Sequence, residues 1–324
     1  MFDLESIRSE IEKELRMLPI SGKPATLYEP IRYILTLGGK RLRPILVLLG
    51  YQIFQEDYKK ILKTSLSVEV FHNFTLMHDD IMDQAPLRRG KETVHEKWNA
   101  NVAILSGDVM LVKAYEILLE IDKELLSKAI AAFNKCACEV CEGQQFDMDF
   151  EEEEDTSIDA YLEMIRLKTA VLLGFSLELG ALLGNAKPDE IELLKKFGEL
   201  IGLGFQIKDD LLDVFGDQVK FGKQVGGDII ANKKTYLLLK AFEDANPAQK
   251  EELQKWINAK NFDAATKVKE VKAIYHALDI RQKAEKLAQT YFDQAFNLLN
   301  TLDRKEEKKG ILKIFAEKLI NRVQ

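Results

Sequence analysis

Apolar side chains recur along nearly the whole chain at three- and four-residue intervals, the period of a helix with one buried face. In SIRSEIEKELRML (6–18), Ile7, Ile11, Leu15 and Leu18 form one stripe. KTAVLLGFSLELGALLG (168–184) is apolar almost all round, which predicts a helix buried inside a bundle. DEIELLKKFGELIGLGFQIKDDLLDVFGD (189–217) follows Pro188, takes Asp189 as its expected cap, and keeps helical spacing throughout. From NPAQKEELQKWINAK (246–260) onward the chain reads as lysine- and glutamate-rich helix, and no strand–turn–strand pattern stands out. Breaks are predicted at 19–24, 83–95, 147–159, 184–190 and 216–228, each too short to link domains. The expectation is therefore one all-α domain over residues 1–324, not the two that length alone suggests.

Apolar residues make up 46% of the chain and charged residues 31%, enough to bury a large core. A net charge of −7 argues against nucleic acid as a partner, because phosphate binding needs a basic footprint. The first residues, MFDLESIRSEIEKELRML, lack the basic and apolar regions of a signal peptide. The longest apolar run, around PILVLLGYQIF, falls short of the ~20 residues that span a bilayer, so membrane insertion is not expected. Three clustered cysteines, Cys136, Cys138 and Cys141, suit neither a disulfide framework nor a four-ligand zinc site. They read as small apolar side chains of a helix core in a reducing, cytoplasmic setting. The acidic run from Glu151 to Asp155 reads as a solvated loop.

Chemistry concentrates in LMHDDIMDQAPLRRGKETVH (76–95). Asp79 and Asp83 lie one helical turn apart on one face, and Asp80 about 100° round the axis. Like charges at this spacing destabilise a helix unless a cation binds between them, and this helix offers no Lys or Arg at that spacing. A hard divalent ion such as Mg²⁺ fits. The pattern recurs in GFQIKDDLLDVFGD (204–217) as Asp209, Asp210 and Asp213. Two acidic helix ends facing one cleft imply a polyphosphate bridged by metal. On this reading the aspartates do not pair with Arg88 and Arg89; both sets engage the same diphosphates. In GGKRLRP (38–44), paired glycines allow close backbone approach, and Lys40 and Arg43 share a helical face. Walker spacing is absent, which excludes a P-loop.

GGKRLRP, HDDIMD with LRRG, GQ at 143–144, RLKTA and GFQIKDDLLD together resemble the trans-isoprenyl diphosphate (polyprenyl) synthases, from Gly38 to about Thr235. The resemblance implies a single bundle of long antiparallel helices around a deep central cavity, usually a homodimer. It implies head-to-tail condensation of isopentenyl diphosphate with an allylic diphosphate, dimethylallyl, geranyl or farnesyl, aided by three Mg²⁺ ions. Asp79 and Asp83, with Asp209, match the metal ligands, and Asp80, Asp210 and Asp213 their supporting carboxylates. Arg88, Lys168, Thr169, Gln206, Lys223 and Lys233 match the allylic diphosphate site, with Lys168 and Lys223 counted as catalytic. Lys40, Arg43, His72 and Arg89 match the isopentenyl diphosphate site.

The implied mechanism needs no nucleophilic Ser or Cys. Metal and fixed cations take up charge on the leaving diphosphate, the allylic cation is attacked by the isopentenyl double bond, and a proton is lost. An apolar wall must exclude water, and Val70, Phe71, Phe74, Leu76 and Met77 precede the first motif. A terpene cyclase shares the fold, but this chain keeps an all-aspartate second motif and GGKRLRP. A non-catalytic partner subunit would have lost aspartates. In the family the fifth residue before the first motif gates product length; here it is Phe74, followed by Thr75. Helix phase sets Thr75 about 40° and Phe74 about 140° from Asp79, which would favour Thr75. The family pattern favours Phe74 and products of C15 to C20, with a longer-chain synthase as the alternative.

Overall fold

Helices carry the chain almost throughout. The structure is a computed structural model and describes residues 4–153, 155–216 and 226–321. Its helices are α1 (Leu4–Met17), α2 (Ala25–Thr36), α3 (Leu42–Gln52), α4 (Leu62–Met82), α5 (Val94–Lys97), α6 (Ala100–Leu118), α7 (Lys123–Glu152) and α8 (Ile158–Ile165). They continue with α9 (Val171–Leu183), α10 (Pro188–Phe215), α11 (Gly227–Ile230), α12 (Tyr236–Asp244), α13 (Pro247–Asn258), α14 (Ala264–Ala277), α15 (Ile280–Asn300) and α16 (Glu306–Asn321). A π-helical turn, Arg166–Ala170, joins α8 to α9. The all-α expectation holds, with one addition. Among the described residues a two-residue ladder, β1 (Leu87–Arg88) against β2 (Lys91–Glu92), interrupts the helices.

The contacts group into two compact units. The first comprises Met1–Cys136, Phe175–Lys195 and Arg304–Leu312. In it α4 packs against α3 and α6, and α2 against α6. Leu66, Val70, Phe74 and Met77 of α4 are buried at the helical spacing that a core-facing stripe requires. Phe133 of α7 stands edge-on to Phe71 and Tyr115, at centroid distances of 5.1 and 4.9 Å. The second unit comprises Ala137–Gly174, Lys196–Asp303 and Lys313–Gln324. There α12 packs on α8 and α15, and α14 on α11 and α15.

Several local expectations change. α7 runs on through Glu152, so the break placed at 147–159 begins later and Asp147 is helical. Its i→i+4 ladder persists because Phe150 is buried and anchors the last turns. Asp189 is not the cap of α10: Pro188 opens the helix, and the Lys187 N–H donates to Glu190 Oε2 at 2.9 Å. The third residue inside the helix thus satisfies the end that Asp189 was expected to satisfy. Of the cysteines only Cys136 is buried; Cys138 and Cys141 are exposed, because positions two and five further on turn to other sides of α7. No helix among the described residues is long and apolar enough to cross a membrane.

Candidate active site

The first aspartate triplet stands at the C-terminal end of α4. Gln84 adopts φ 49°, its N–H reaches Ile81 O at 3.2 Å, and the Ala85 N–H reaches Asp80 O at 2.9 Å. This is a Schellman stop, with Pro86 just beyond it. It fixes the carboxylates at the negative end of the helix dipole, where anions are disfavoured. Asp80 is buried; Asp79 is half-buried and Asp83 exposed.

The expectation that aspartates and arginines stay apart is not met. Arg88 Nε lies 2.8 Å from both oxygens of Asp80, and its Nη2 lies 3.3 Å from Asp79 Oδ2. The reason is burial: a carboxylate 2% exposed requires a counter-charge. α4 supplies none, so the hairpin does. Burial still pushes the Asp80 carboxyl up, against the downward pull of Arg88.

The hairpin turn is Arg89–Gly90, with φ 54° and 73°. Positive φ at both central residues is the pattern of a type I′ turn, matched to strand twist. It aims Arg88 at α4 and Arg89 at the glycine loop. Arg89 donates to Gly38 O. Gly38 has φ 80°, and a Cβ on Gly39 would come within 3.0 Å of Arg89 Nη1, so this loop needs both glycines. Arg43, Arg89 and His72 share one electropositive neighbourhood. Burial, then Arg43 and Arg89, hold the His72 imidazole well below its usual pKa. Burial draws Arg43 down to about 10, with Glu69 opposing and Arg89 adding to the fall. Three of the four residues matched to isopentenyl diphosphate are thus brought together; Lys40 is exposed in the same loop.

The second triplet also occupies a helix C-terminal end, that of α10. Asp210 is buried, Asp213 half-buried and Asp209 exposed. Tyr161 donates its hydroxyl to Asp210 Oδ2, and Gln206 Nε2 donates to Asp210 Oδ1 at 3.0 Å. Thr169 Oγ1 donates to Gln206 Oε1 at 3.2 Å, which ties the π-turn to α10. Burial, then the charge of Asp228, pushes Asp210 up to about 8. Lys168 lies 2.6 Å from Asp147 Oδ2. The Asp228 N–H donates to Asp213 Oδ2 at 2.9 Å. Burial and Asp213 push Asp228 up to about 7, although Lys233 pulls it down. Lys233 is exposed on the turn after α11. Lys223 lies outside the described residues.

In each triplet the second aspartate is buried and held by protein donors, while the others are more open to solvent. Among the described residues no three His, Cys, Asp or Glu side chains already converge as a metal cage. The donor set nevertheless suits a hard cation. It is all carboxylate oxygen, crowded enough to raise Asp228, and set at helix ends that favour positive charge.

Sequence reasoning missed Asp147, Tyr161 and Asp228. Asp147 follows Gly143 by one turn, and a Cβ at Gly143 would overlap the Lys168 backbone nitrogen. The GQ at 143–144 was thus the signal that α7 touches the Lys168 turn. Asp228 follows the paired Gly226 and Gly227. Nothing in the spacing links Tyr161 to Asp210.

Residues 24–278 match the family described as polyprenyl synthetase. A geranylgeranyl diphosphate synthase of Methanosarcina mazei is 42% identical over 229 residues, 70% of this chain and 70% of its own length. A geranylgeranyl pyrophosphate synthase of Geoglobus acetivorans is 37% identical over 322 residues, 96% of either chain. The crystal structure of a geranylgeranyl pyrophosphate synthase superposes with a TM-score of 0.95 at 42% identity, over 99% of both chains. With two aspartate helix ends and a Gly-Gly-Lys loop already in place, the chain belongs to the polyprenyl synthetase family: it is a trans-prenyltransferase of all-α isoprenoid synthase fold that joins isopentenyl diphosphate head to tail to an allylic diphosphate.

Proposed function

We propose that the enzyme makes a C15 to C20 trans prenyl diphosphate, with Mg²⁺ as its cofactor and the whole chain acting as one catalytic domain. Names of relatives support the product range, since the synthases of M. mazei and G. acetivorans are both named for geranylgeranyl diphosphate. One family match that spans residues 24–278 supports the single domain. The observation that carries the reading is that both aspartate triplets stand towards helix C-terminal ends, where positive charge is favoured.

On the family pattern Asp79, Asp83 and Asp209 would be Mg²⁺ ligands, with Asp80, Asp210 and Asp213 in support; bound metal would neutralise charge on the departing diphosphate. Arg88, Lys168 and Lys233 supply fixed positive charge to that diphosphate, Lys223 joins them on family grounds, and Thr169 and Gln206 hold the Lys168 turn in place. Arg43, Arg89 and Lys40 bind the second diphosphate. His72, kept neutral, adds a hydrogen bond there without a charge of its own. Buried Val70, Phe71, Phe74 and Met77 give the α4 wall that keeps water from the allylic cation.

A homodimer is part of this proposal. Leu105, Val112 and Leu119 are 58%, 55% and 60% exposed, at seven-residue spacing along one side of α6 and its cap. An apolar helix stripe in water fits a second copy of the chain. Three cysteines with no disulfide among the described residues support a cytoplasmic location.

Turnover of labelled isopentenyl diphosphate should stop in excess chelator and return with Mg²⁺. Asp79→Ala and Asp209→Ala should each lose about 10²–10³-fold in kcat, the scale of one lost electrostatic stabiliser; full activity in either variant contradicts the assignment. For product length, Phe74 is the proposed gate and Thr75 its neighbour on the Asp79 side. Phe74 is buried with its ring 4.8 Å from that of His78. Phe74→Ala should lengthen the products seen by mass spectrometry, and a folded, active variant with unchanged products rules the gate out. Light scattering at micromolar concentration should give the mass of two chains; a single-chain mass overturns the dimer.

A further inference from the structure

Arg41 lies inside the GGKRLRP loop, yet it does not face the diphosphate cluster. It is 2% exposed and adopts a left-handed backbone at φ 50°. Its Nε donates to Glu12 Oε1 at 2.7 Å, its Nη1 to Glu69 Oε1 at 2.6 Å, and its Nη2 to Leu35 O at 2.7 Å. Glu69 is itself buried, and Asn73 Nδ2 reaches its Oε1 at 3.2 Å and its carbonyl at 2.8 Å. Helices α1 and α4 therefore each send one carboxylate to a single guanidinium.

Stability alone does not account for this cluster. Buried ion pairs are often no more stabilising than apolar residues of similar volume. A left-handed backbone at a residue other than glycine adds strain. Neighbouring charges suggest another role. Arg43 and Arg89 both sense the charge of Glu69, and Arg89 that of Glu12 as well. Left uncompensated, these carboxylates would compete with an anionic ligand for the same arginines. His72 also senses the charge of Arg41.

We propose that Arg41 is a positioning residue for the isopentenyl diphosphate site: it engages Glu12 and Glu69, withholds their charge from Arg43 and Arg89, and fixes the loop that carries Gly38 and Lys40. The inference rests on the assignment of Arg43 and Arg89 to that substrate. It makes α1, through Glu12, part of what sets substrate affinity, and it gives Arg41 a function without substrate contact.

The test is steady-state kinetics with each substrate varied in turn, alongside thermal unfolding. Arg41→Met should raise KM for isopentenyl diphosphate on the order of tenfold, with kcat and the allylic KM little changed. Adding Glu69→Gln to Arg41→Met should recover most of that loss, because the carboxylate charge that both Arg43 and Arg89 sense is then gone. A purely structural role lowers the unfolding temperature and raises both KM values together, so a loss that persists in the double variant, or an equal rise in both KM values, overturns the proposal. Should Arg41→Met fail to fold, Glu69→Gln alone decides: an unchanged or lower KM for isopentenyl diphosphate supports the proposal and a tenfold rise overturns it. Arg43→Ala serves as the control. If it leaves that KM unchanged, the substrate assignment itself is wrong and the role of Arg41 falls with it; if it raises KM while Arg41→Met does not, only the Arg41 inference fails.

Discussion

Carboxylates held at the C-terminal ends of helices are the constraint on which this site depends. A helix end already carries partial negative charge from its unpaired carbonyls, and each aspartate added there raises the cost. Here two helices, α4 and α10, each end in three aspartates. The fold answers part of that cost internally. Arg88 closes on Asp80, and Tyr161 with Gln206 closes on Asp210. What those donors leave is the charge of the more open aspartates, which a divalent ion carrying a diphosphate would meet. The internal donors thus fix the buried aspartate of each triplet, while the other carboxylates stay more open to solvent.

Backbone devices place the cations that lie near these carboxylates within each unit. A Schellman stop ends α4 and turns the chain toward a two-residue hairpin. The hairpin turn sends neighbouring arginines in different directions: Arg88 to the aspartates, Arg89 to Gly38. In the second unit a π-turn carries Lys168, and Gly143 lets α7 come close enough to put Asp147 against it. Each device is a short segment whose dihedrals depart from the surrounding helix. Substitutions there carry a steric or dihedral cost that does not scale with apolar area, since a Cβ at Gly143 would overlap the Lys168 backbone.

Much of this was legible in the sequence because helical period is a local signal. Stripes such as Ile7, Ile11 and Leu15 report burial from spacing alone, and the structure buries all three. The aspartate triplets were legible for a similar reason: their repetition shows without knowledge of neighbours. Pairings made across the fold were not. Arg88 reads as a ligand-binding arginine, and only the hairpin shows that it first serves Asp80. Tyr161 is an ordinary core-spaced aromatic until α8 is set beside α10. The acidic stretch from Asp147 looked like a loop because its composition is polar, yet Phe150 anchors it as helix. Composition reports solvent exposure there, and exposed helix and loop share it.

Binding of inorganic pyrophosphate, followed by thermal unfolding of the intact protein, tests the central claim most directly and needs no turnover. If the aspartates take diphosphate only through a divalent ion, pyrophosphate in chelator should leave Tm nearly unchanged and Mg²⁺ alone should raise it little. The two together should raise it by far more than the sum, as ligands that bind only the folded state do. An equal rise with pyrophosphate in the presence of chelator would contradict the account, because the arginines and lysines would then hold the diphosphate without help from the aspartates.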